Sequence, residues 1–312
     1  MPTEPGFDDL FDHRADLPDS DAQDRLARLV GLDEHRKRLA KILGLLVNPA
    51  GLREWAEQNH PGAEHLLDAV LSRPPLVILA GDVGSGKTEL AETIGDAVAR
   101  EAKINVTLLP LSLSTRGQGR VGEMTKLLSA AFEATLEEAR KLRSSSGAAR
   151  GAVILLVDEA DALAQSRENS QMHHEDRAGV NAFIRGVDRI ANSRVPAAVI
   201  MCTNRLGALD PAVRRRAADI LTFERPDDEK RRAILARALA PLKFPDRTID
   251  ALVAATGPQD GRDYGFTFSD LVQCLLPAIA LEAYPDGPIQ PDDALAVAQR
   301  LVPTPPFREN SP

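Results

Sequence analysis

The apolar residues of the chain fall into short continuous runs, separated by segments with helical periodicity. Four runs are long enough for buried strands and a fifth is shorter: residues 75–80, 104–111, 152–158, 197–204 and 219–225. Continuous apolar runs of this length are typical of parallel strands whose two faces are both covered by helices. The pattern therefore predicts an α/β protein with a five-stranded parallel sheet flanked by helices.

The character of the chain changes near residue 226. Beyond that point the apolar spacing is helical and no strand pattern recurs, which predicts a small all-helical domain. The first residues are acidic and contain proline, a composition typical of disorder. We predict a disordered acidic tail at 1–25, an α/β domain at 26–226, a helical domain at 227–302 and a C-terminal tail at 303–312.

Composition and charge narrow the possible partners. The net charge of −8 and the aromatic content of 4% disfavour a nucleic-acid surface, because such surfaces need clustered cations and stacking rings. Cys202 and Cys274 lie in apolar stretches and are predicted to be buried thiols of a reducing compartment. No apolar run approaches the roughly 18 residues of a membrane span, and no signal peptide is visible. We expect a cytoplasmic protein that binds neither nucleic acid nor a membrane.

The segment GDVGSGKT at 81–88 carries the strongest chemical signal. It lies between an apolar run and a helical segment, which is the context of a phosphate-binding loop with the pattern G-x-x-x-x-G-K-[ST]. In such a loop, backbone N–H groups surround the phosphates at a helix N-terminus, the lysine reaches the β- and γ-phosphates and the hydroxyl ligates magnesium. The predicted ligands of ATP or GTP and of Mg²⁺ are Gly81, Asp82, Val83, Gly84, Ser85, Gly86, Lys87 and Thr88.

Two adjacent acids follow the third long apolar run. Asp158 is placed to hold magnesium through water, and Glu159 is placed to polarise the water that attacks the γ-phosphate. Two acids at the end of a strand can also be solubilising residues, but the phosphate loop makes that interpretation weak. Asp161 is expected to cap or pair near the start of the following helix.

Polar residues also follow the fourth long run. Asn204 is a neutral amide suited to hydrogen-bonding the γ-phosphate or the attacking water. Arg214, Arg215 and Arg216 come next, and an arginine given across a subunit interface accelerates phosphoryl transfer by orders of magnitude. A run of three arginines is usually a solvated surface, but its position after Asn204 favours the functional interpretation.

Together these motifs resemble those of the AAA+ ATPases. The resemblance covers about residues 26–302 and rests on the phosphate loop, LLVDEAD at 155–161, CTN at 202–204 and LDPAVRRRAADILTFERPD at 209–227. It implies a P-loop sheet followed by a helical lid, hydrolysis of ATP with Mg²⁺, and a homohexamer.

The resemblance also implies roles for individual positions. The backbone of Val30 and Gly31 is expected beside the adenine, and Arg216, with Arg215 second, matches the arginine-finger position. Many members carry a sensor-two arginine where this chain has Ser269, and Arg262 is a nearby candidate.

Gly117, Gly119 and Gly122 have the spacing of a dinucleotide-binding turn, G-x-G-x-x-G. Such a turn requires an acidic residue at the end of the next strand, about 20 residues on, and here that distance falls inside a predicted helix. In AAA+ proteins the corresponding turn is a pore loop. The resemblance therefore implies a loop that contacts a substrate protein through Arg120, Val121 and Gly122.

Within the AAA+ proteins the chain is similar to the pachytene-checkpoint ATPases, on the stretches AVRRRAADI at 212–220 and GFTFSDL at 265–271. Those ATPases remodel HORMA-domain proteins, and bacterial relatives accompany HORMA proteins and cyclic-nucleotide synthases in anti-phage operons. The similarity implies a hexamer that threads a terminus of a HORMA-domain protein, alone or bound to a nucleotidyltransferase, and so switches signalling off.

Two alternatives remain open at the level of sequence. One is an AAA+ activator of a metabolic enzyme or a secretion system. The other is a nucleotide-dependent scaffold that is not a motor, and Glu159 argues against it because a binding-only ring needs no acid to polarise water.

Overall fold

A computed structural model describes residues 10–113, 122–143, 149–163 and 173–307 of the chain, with backbone only for 162 and 173–176. These residues form two compact units. The first draws on Met1–Ala27, His35–Ala80 and Thr88–Thr222, and the second on Arg28–Glu34, Gly81–Lys87 and Phe223–Pro312. Within the described ranges, no helix is long and apolar enough to cross a membrane.

The first unit is built around a six-stranded sheet with the strand order β1-β3-β4-β5-β2-β6. The strands are β1 Ala15–Leu17, β2 Leu76–Gly81, β3 Asn105–Ser112, β4 Gly151–Asp158, β5 Ala197–Thr203 and β6 Ala217–Phe223. The helices up to β6 are α1 Ser20–Arg28, α2 Asp33–Val47, α3 Ala50–Asn59, α4 Glu64–Leu71, α5 Lys87–Ala102, α6 Glu123–Lys141, α7 His173–Ser193 and α8 Pro211–Arg214.

The central strands confirm the predicted parallel arrangement. β3 pairs with β4, β4 with β5 and β5 with β2, all in parallel. Every residue of β5 is buried, and in β4 all but the last residue, Asp158, are buried. Side chains of both strand faces are therefore covered, which explains why these segments are continuously apolar rather than alternating.

The prediction that residues 1–25 are disordered is wrong for residues 10–25. β1 pairs antiparallel with β3, so that the sheet is mixed and has six strands rather than five. Leu10 and Phe11 are buried, and the backbone N–H of Asp19 donates to the carboxylate of the buried Asp96 at 2.8 Å. A few apolar residues that add to an existing sheet edge are sufficient to order the segment, although its composition is polar.

Helices α6 and α7 pack closely through two aromatic rings and a glycine. The rings of Phe132 and Phe183 meet edge to face, with centroids 5.5 Å apart. A Cβ atom added to Gly186 would lie 2.3 Å from the ring of Phe132. The absence of a side chain at Gly186 is therefore a requirement of this helix contact.

The second unit confirms the predicted helical domain after β6. Its helices are α9 Asp228–Leu239, α10 Asp246–Thr256, α11 Leu276–Ala283 and α12 Pro291–Arg300, and a π-helical turn, Asp270–Leu275, precedes α11. The unit also contains residues 28–34 and the loop 81–87. This division differs from the predicted boundary, which assigned both segments to the α/β domain, because hydrogen bonds connect the loop to residues of the second unit that follow β6.

Asp270 organises the end of the second unit. Its carboxylate accepts hydrogen bonds from the backbone N–H of Thr267 at 2.8 Å and from the N–H and hydroxyl of Thr304 at 3.1 and 2.7 Å. Burial acts to raise the pKa of Asp270, but these hydrogen bonds outweigh it and the pKa is lowered. The stabilisation is therefore complete at neutral pH and is lost as the pH falls through the lowered pKa of the folded state.

Only one of the two cysteines matches its prediction. Cys202 in β5 is buried, whereas Cys274 in the π-helical turn is exposed. Neither is part of a disulfide. Leu271 and Leu275 in the same turn are buried, whereas Val272 is exposed like Cys274, so an apolar run does not predict the burial of each of its members.

We predict that Gly186→Ala lowers the free energy of unfolding by about 1–3 kcal/mol, because the new methyl group must displace the ring of Phe132. Gly44→Ala in α2 is the matched control, since nothing lies within 4 Å of an added Cβ there. We expect that control to leave the free energy unchanged or raise it by up to about 1 kcal/mol. Chemical denaturation measures both, and equal values for the two variants would contradict the tight contact.

Candidate functional site

The loop at 81–87 follows β2 and has a backbone that only glycine can adopt at two positions. A Cβ atom on Gly81 would lie 2.2 Å from the carbonyl oxygen of Phe223. Gly84 has a φ of +73°, and a Cβ there would lie 2.7 Å from the hydroxyl oxygen of Thr267. The close approach of neighbouring atoms thus fixes the path of the loop.

Lys87 is buried and its ammonium group is bound to the loop itself. It donates to the backbone carbonyls of Gly81 at 2.9 Å and Asp82 at 2.8 Å, and it contacts the hydroxyl of Ser85 at 3.3 Å. The cation therefore lies inside the curve of the loop, where it can meet an anion bound by the loop backbone.

The Asp82 carboxylate accepts hydrogen bonds from three directions. One oxygen accepts from Nε and Nη2 of Arg225, at 2.8 and 2.5 Å. The other accepts from the backbone N–H groups of Val83 at 3.0 Å and Phe307 at 3.1 Å. Asp82 is therefore held by its own loop, by the segment after β6 and by the C-terminal segment.

Other residues named from the sequence also lie in the second unit. Gly31 has a φ of +81°, and a Cβ there would lie 3.3 Å from the side chain of Lys230. Val30 precedes it and is half-buried. Ser269 donates its backbone N–H to the carbonyl of Gly84 at 2.9 Å. Arg262 donates to the carbonyl of Gly257 at 2.8 Å and lies near two aromatic rings of the same unit.

The first unit gathers its polar residues at one edge of the sheet. The register pairs Ala80 with Thr203 across β2 and β5, and Ser112 with Asp158 across β3 and β4. Because these strands are parallel, the residues that follow each of them emerge at the same edge. The acids after β4 and Asn204 after β5 therefore lie at this same edge.

Glu159 adopts a backbone conformation that is unusual for its residue type. Its φ of +53° lies in the left-handed region, which non-glycine residues rarely adopt outside turns and functional sites. Its backbone N–H donates to the carboxylate of Asp158 at 2.7 Å, and its own carboxylate accepts from the Ser112 hydroxyl at 2.7 Å. The exposed acid is thus oriented by the preceding residue and by the neighbouring strand.

Asp161 fixes the residues that follow β5. Its carboxylate accepts from the Thr203 hydroxyl at 2.6 Å, from the Asn204 side-chain amide at 2.8 Å and from the Arg205 backbone N–H at 3.0 Å. It also accepts from the Asn204 backbone N–H at 3.0 Å. These contacts hold the amide NH₂ of Asn204 toward Asp161. The sequence predicted a cap or a pairing near the start of the following helix, whereas these bonds of Asp161 are to residues at the end of β5.

The two arginine-finger candidates differ in their surroundings. Arg216 donates from Nε and Nη2 to the two oxygens of Asp188, at 2.7 and 3.0 Å. This hydrogen-bonded pair raises the pKa of Arg216 above its ordinary value. Arg215 follows α8 and is exposed.

The residues that would hold a nucleotide and its metal have suitable chemistry. The curve of the loop at Gly81 and Gly84 excludes side chains and places the Lys87 ammonium within it, as a phosphate cradle requires. Thr88 and Asp158 offer hydroxyl and carboxylate oxygens, the ligands that magnesium prefers. Among the described residues no cluster of three or more His, Cys, Asp or Glu forms a metal site made of protein ligands alone.

The pore-loop prediction falls mostly outside the described residues. Arg120 and Val121 are among the residues that the structure does not describe, as are Gly117 and Gly119. Gly122 is described: it precedes α6 with a φ of +81°.

Sequence reasoning missed three contacts at this site: the Ser112 hydroxyl on Glu159, the Asp161 bonds to Asn204, and the Arg225 bonds to Asp82. The partners in these pairs are 47, 43 and 143 positions apart in sequence. Of these, only the contact between Ser112 and Glu159 could have been foreseen, because the register of β3 against β4 places Ser112 beside Asp158.

Comparison with known proteins places the chain in a family. Residues 77–225 match the model of the ATPase family associated with various cellular activities (AAA). CD-NTase-associated protein 6 of Escherichia coli (strain MS 115-1) is 64% identical over 307 residues, which are 98% of this chain and 99% of that protein.

Two solved structures are similar over nearly the whole chain. One is the E. coli MS115-1 HORMA:CdnC:Trip13 complex, in which a chain of 63% identity matches with a TM-score of 0.89, over 98% of this chain and 100% of that one. The other is Rhizobiales Trip13, with 56% identity, a TM-score of 0.75 and coverage of 95% and 100%. The phosphate loop, the acids after β4 and this full-length similarity together show that the chain belongs to the AAA ATPase family, alongside CD-NTase-associated protein 6.

Proposed function

We propose that the protein is a hexameric, ATP-driven remodeller that acts on a HORMA-domain protein, alone or bound to a nucleotidyltransferase of the cyclic-nucleotide-synthase class. The observation that carries this proposal is the full-length similarity, at 63% identity, to a chain of the HORMA:CdnC:Trip13 complex. Disassembly of such a complex would switch off cyclic-nucleotide signalling in anti-phage defence. A cytoplasmic location is part of this proposal, and the exposed thiol of Cys274 is consistent with a reducing compartment.

We propose the following roles for the residues of this chain in ATP hydrolysis. The backbone of 81–86 and the Lys87 ammonium bind the phosphates, and Val30 and Gly31 lie beside the adenine. Thr88 and Asp158 hold magnesium, which when bound neutralises charge on the phosphate oxygens. Glu159 polarises the attacking water and Asn204 orients it, while Ser112 and Asp161 set the directions of these two side chains.

Glu159→Gln should retain ATP binding and lose turnover by at least about 100-fold, because the amide keeps the shape of the side chain but cannot accept a proton from water. Lys87→Ala is the contrasting variant: it should raise the Kd for ATP by at least about tenfold, since a buried cation that meets phosphate is removed. Calorimetry and steady-state hydrolysis separate the two effects. Near wild-type turnover in Glu159→Gln would contradict the role assigned to Glu159, whereas a wild-type protein that binds ATP without hydrolysing it would favour the non-motor scaffold.

We propose Arg216 as the residue that acts on the nucleotide of a neighbouring subunit, with Arg215 as the second candidate. Arg216→Ala alone should lower turnover by about 10³-fold. Mixing it with Lys87→Ala should restore activity at about one interface in four under random assembly of equal amounts. A mixture no more active than its components would show that Arg216 does not act in trans, and the same experiment with Arg215→Ala tests the alternative.

The threading step is tested with a HORMA-domain protein and its nucleotidyltransferase, by following dissociation of their complex after addition of ATP. We propose that Arg120, Val121 and Gly122 contact the substrate. Arg120→Ala should leave ATP hydrolysis within about twofold of wild type and abolish dissociation, because the proposed role of Arg120 is to offer the substrate a flat contact surface and not to bind phosphate. Arg120→Tyr should retain part of the activity, since an aromatic ring offers a similar surface. If Arg120→Ala instead weakened ATP binding as strongly as Lys87→Ala, the loop would belong to a nucleotide site.

A further inference from the structure

One heavily hydrogen-bonded side chain of the phosphate loop lies at a position that the loop pattern does not specify. Position 82 is an unrestricted position in G-x-x-x-x-G-K-[ST], yet the Asp82 carboxylate accepts four hydrogen bonds in this chain. Its side chain is 15% exposed and that of its partner Arg225 is 13% exposed. A carboxylate this enclosed and this fully bonded has one well-defined position.

Arg225 is also held by two contacts outside the loop. Its Nη1 donates to the carbonyl of Gly265 at 2.7 Å, and its guanidinium carbon lies 5.0 Å from the centre of the Tyr264 ring. Its planar group therefore makes two hydrogen bonds to Asp82, one to a backbone carbonyl and a stacking contact at the same time. A lysine at this position would provide a single point charge and none of this geometry.

The C-terminal segment supplies the remaining donor from outside the loop. Thr304 is bound to Asp270 by two hydrogen bonds, and three residues later the backbone N–H of Phe307 donates to Asp82 at 3.1 Å. The segment between them is Pro305–Pro306, whose rings restrict its conformations. Residues 304–307 thus form a short, stiff strap from the helical part of the second unit to the phosphate loop.

The strap ends at Asp82, the residue whose backbone also binds the Lys87 ammonium. The backbone carbonyl of Asp82 accepts from the Lys87 ammonium at 2.8 Å. We infer that Asp82 is a positioning residue for Lys87, and that Arg225 and the C-terminal strap set its position, so that the loop is pre-organised for phosphate. This inference rests on the proposed nucleotide site and adds residues from the far end of the chain to it.

Pre-organisation has a defined thermodynamic sign. A loop that contains Gly81, Gly84 and Gly86 has many conformations to lose on binding phosphate. Contacts that restrict it beforehand lower that entropic loss, so their removal should weaken nucleotide binding. A restraint that instead opposed binding would have the reverse effect when removed.

Phe307→Pro tests the strap at a single atom, because proline has no backbone N–H to donate. Phe307→Ala is the matched control, since it removes the ring and keeps that N–H. By calorimetry with ADP, we expect the Kd of Phe307→Pro to exceed that of Phe307→Ala by about three- to tenfold. Arg225→Lys should raise the Kd for ADP by about tenfold relative to wild type.

The kinetic readout separates positioning from a general loss of structure. We expect the KM for ATP to rise in Phe307→Pro and Arg225→Lys, with kcat within about twofold of wild type, because neither residue is among those proposed to act on the attacking water. In an Asp82→Ala background, which has no side-chain acceptor for the Phe307 N–H, Phe307→Pro should add little further effect. If Phe307→Pro lowers the unfolding temperature, the experiment is repeated with a truncated chain that ends at Pro306, which lacks the same N–H donor.

Equal affinities of Phe307→Pro and Phe307→Ala, full additivity with Asp82→Ala, or tighter binding after loss of the strap would each overturn the inference. Lys87→Ala distinguishes failure of the inference about the strap from failure of the proposed nucleotide site. If Lys87→Ala loses ADP binding while the strap variants behave as wild type, the strap alone is refuted. If Lys87→Ala still binds ADP normally, the proposed site itself is refuted.

Discussion

The burial of both faces of the parallel strands is the constraint on which the first unit depends. β4 and β5 leave almost no strand position where a polar side chain can lie without losing its hydration. Polar chemistry is therefore confined to the places where strands end, and the parallel pairing brings these places to one edge. Ser112, Asp158 and Thr203 lie there as a consequence of register, and the residues next in sequence follow them.

A second consequence is that the edge residues are held chiefly by one another. Asp161 accepts from Thr203, Asn204 and Arg205, and Glu159 accepts from Ser112. Each donor comes from the end of a different strand than its acceptor. The directions of the side chains are thus set by the rigid sheet rather than by the short connections, which accounts for the tolerance of a left-handed conformation at Glu159.

The sequence was most informative where a local pattern has a single structural solution. The apolar runs gave all five long strands to within about two residues, and the loop at 81–88 has a pattern that demands its backbone conformation. It was least informative for residues whose conformation depends on a partner far away in sequence. Residues 10–25 have the composition of a disordered tail and become ordered through β3 and Asp96, and Asp82 gains its role only from Arg225 and Phe307. Such pairings depend on the finished fold, and no single-sequence periodicity encodes them.

The short strand β1 has a consequence for the solubility of the chain. It covers the outer edge of β3 at Val106 to Leu108, and the side chain of Leu17 lies where a Cβ on Gly95 would be 2.6 Å from it. Without β1, the backbone donors and acceptors of an eight-residue, largely buried strand would face outward at the end of the sheet. An uncovered edge of this length is a template for the backbone of another molecule. Residues 12–17 therefore occupy backbone groups of β3 that could otherwise pair with a second molecule, and their removal is expected to favour edge-to-edge aggregation.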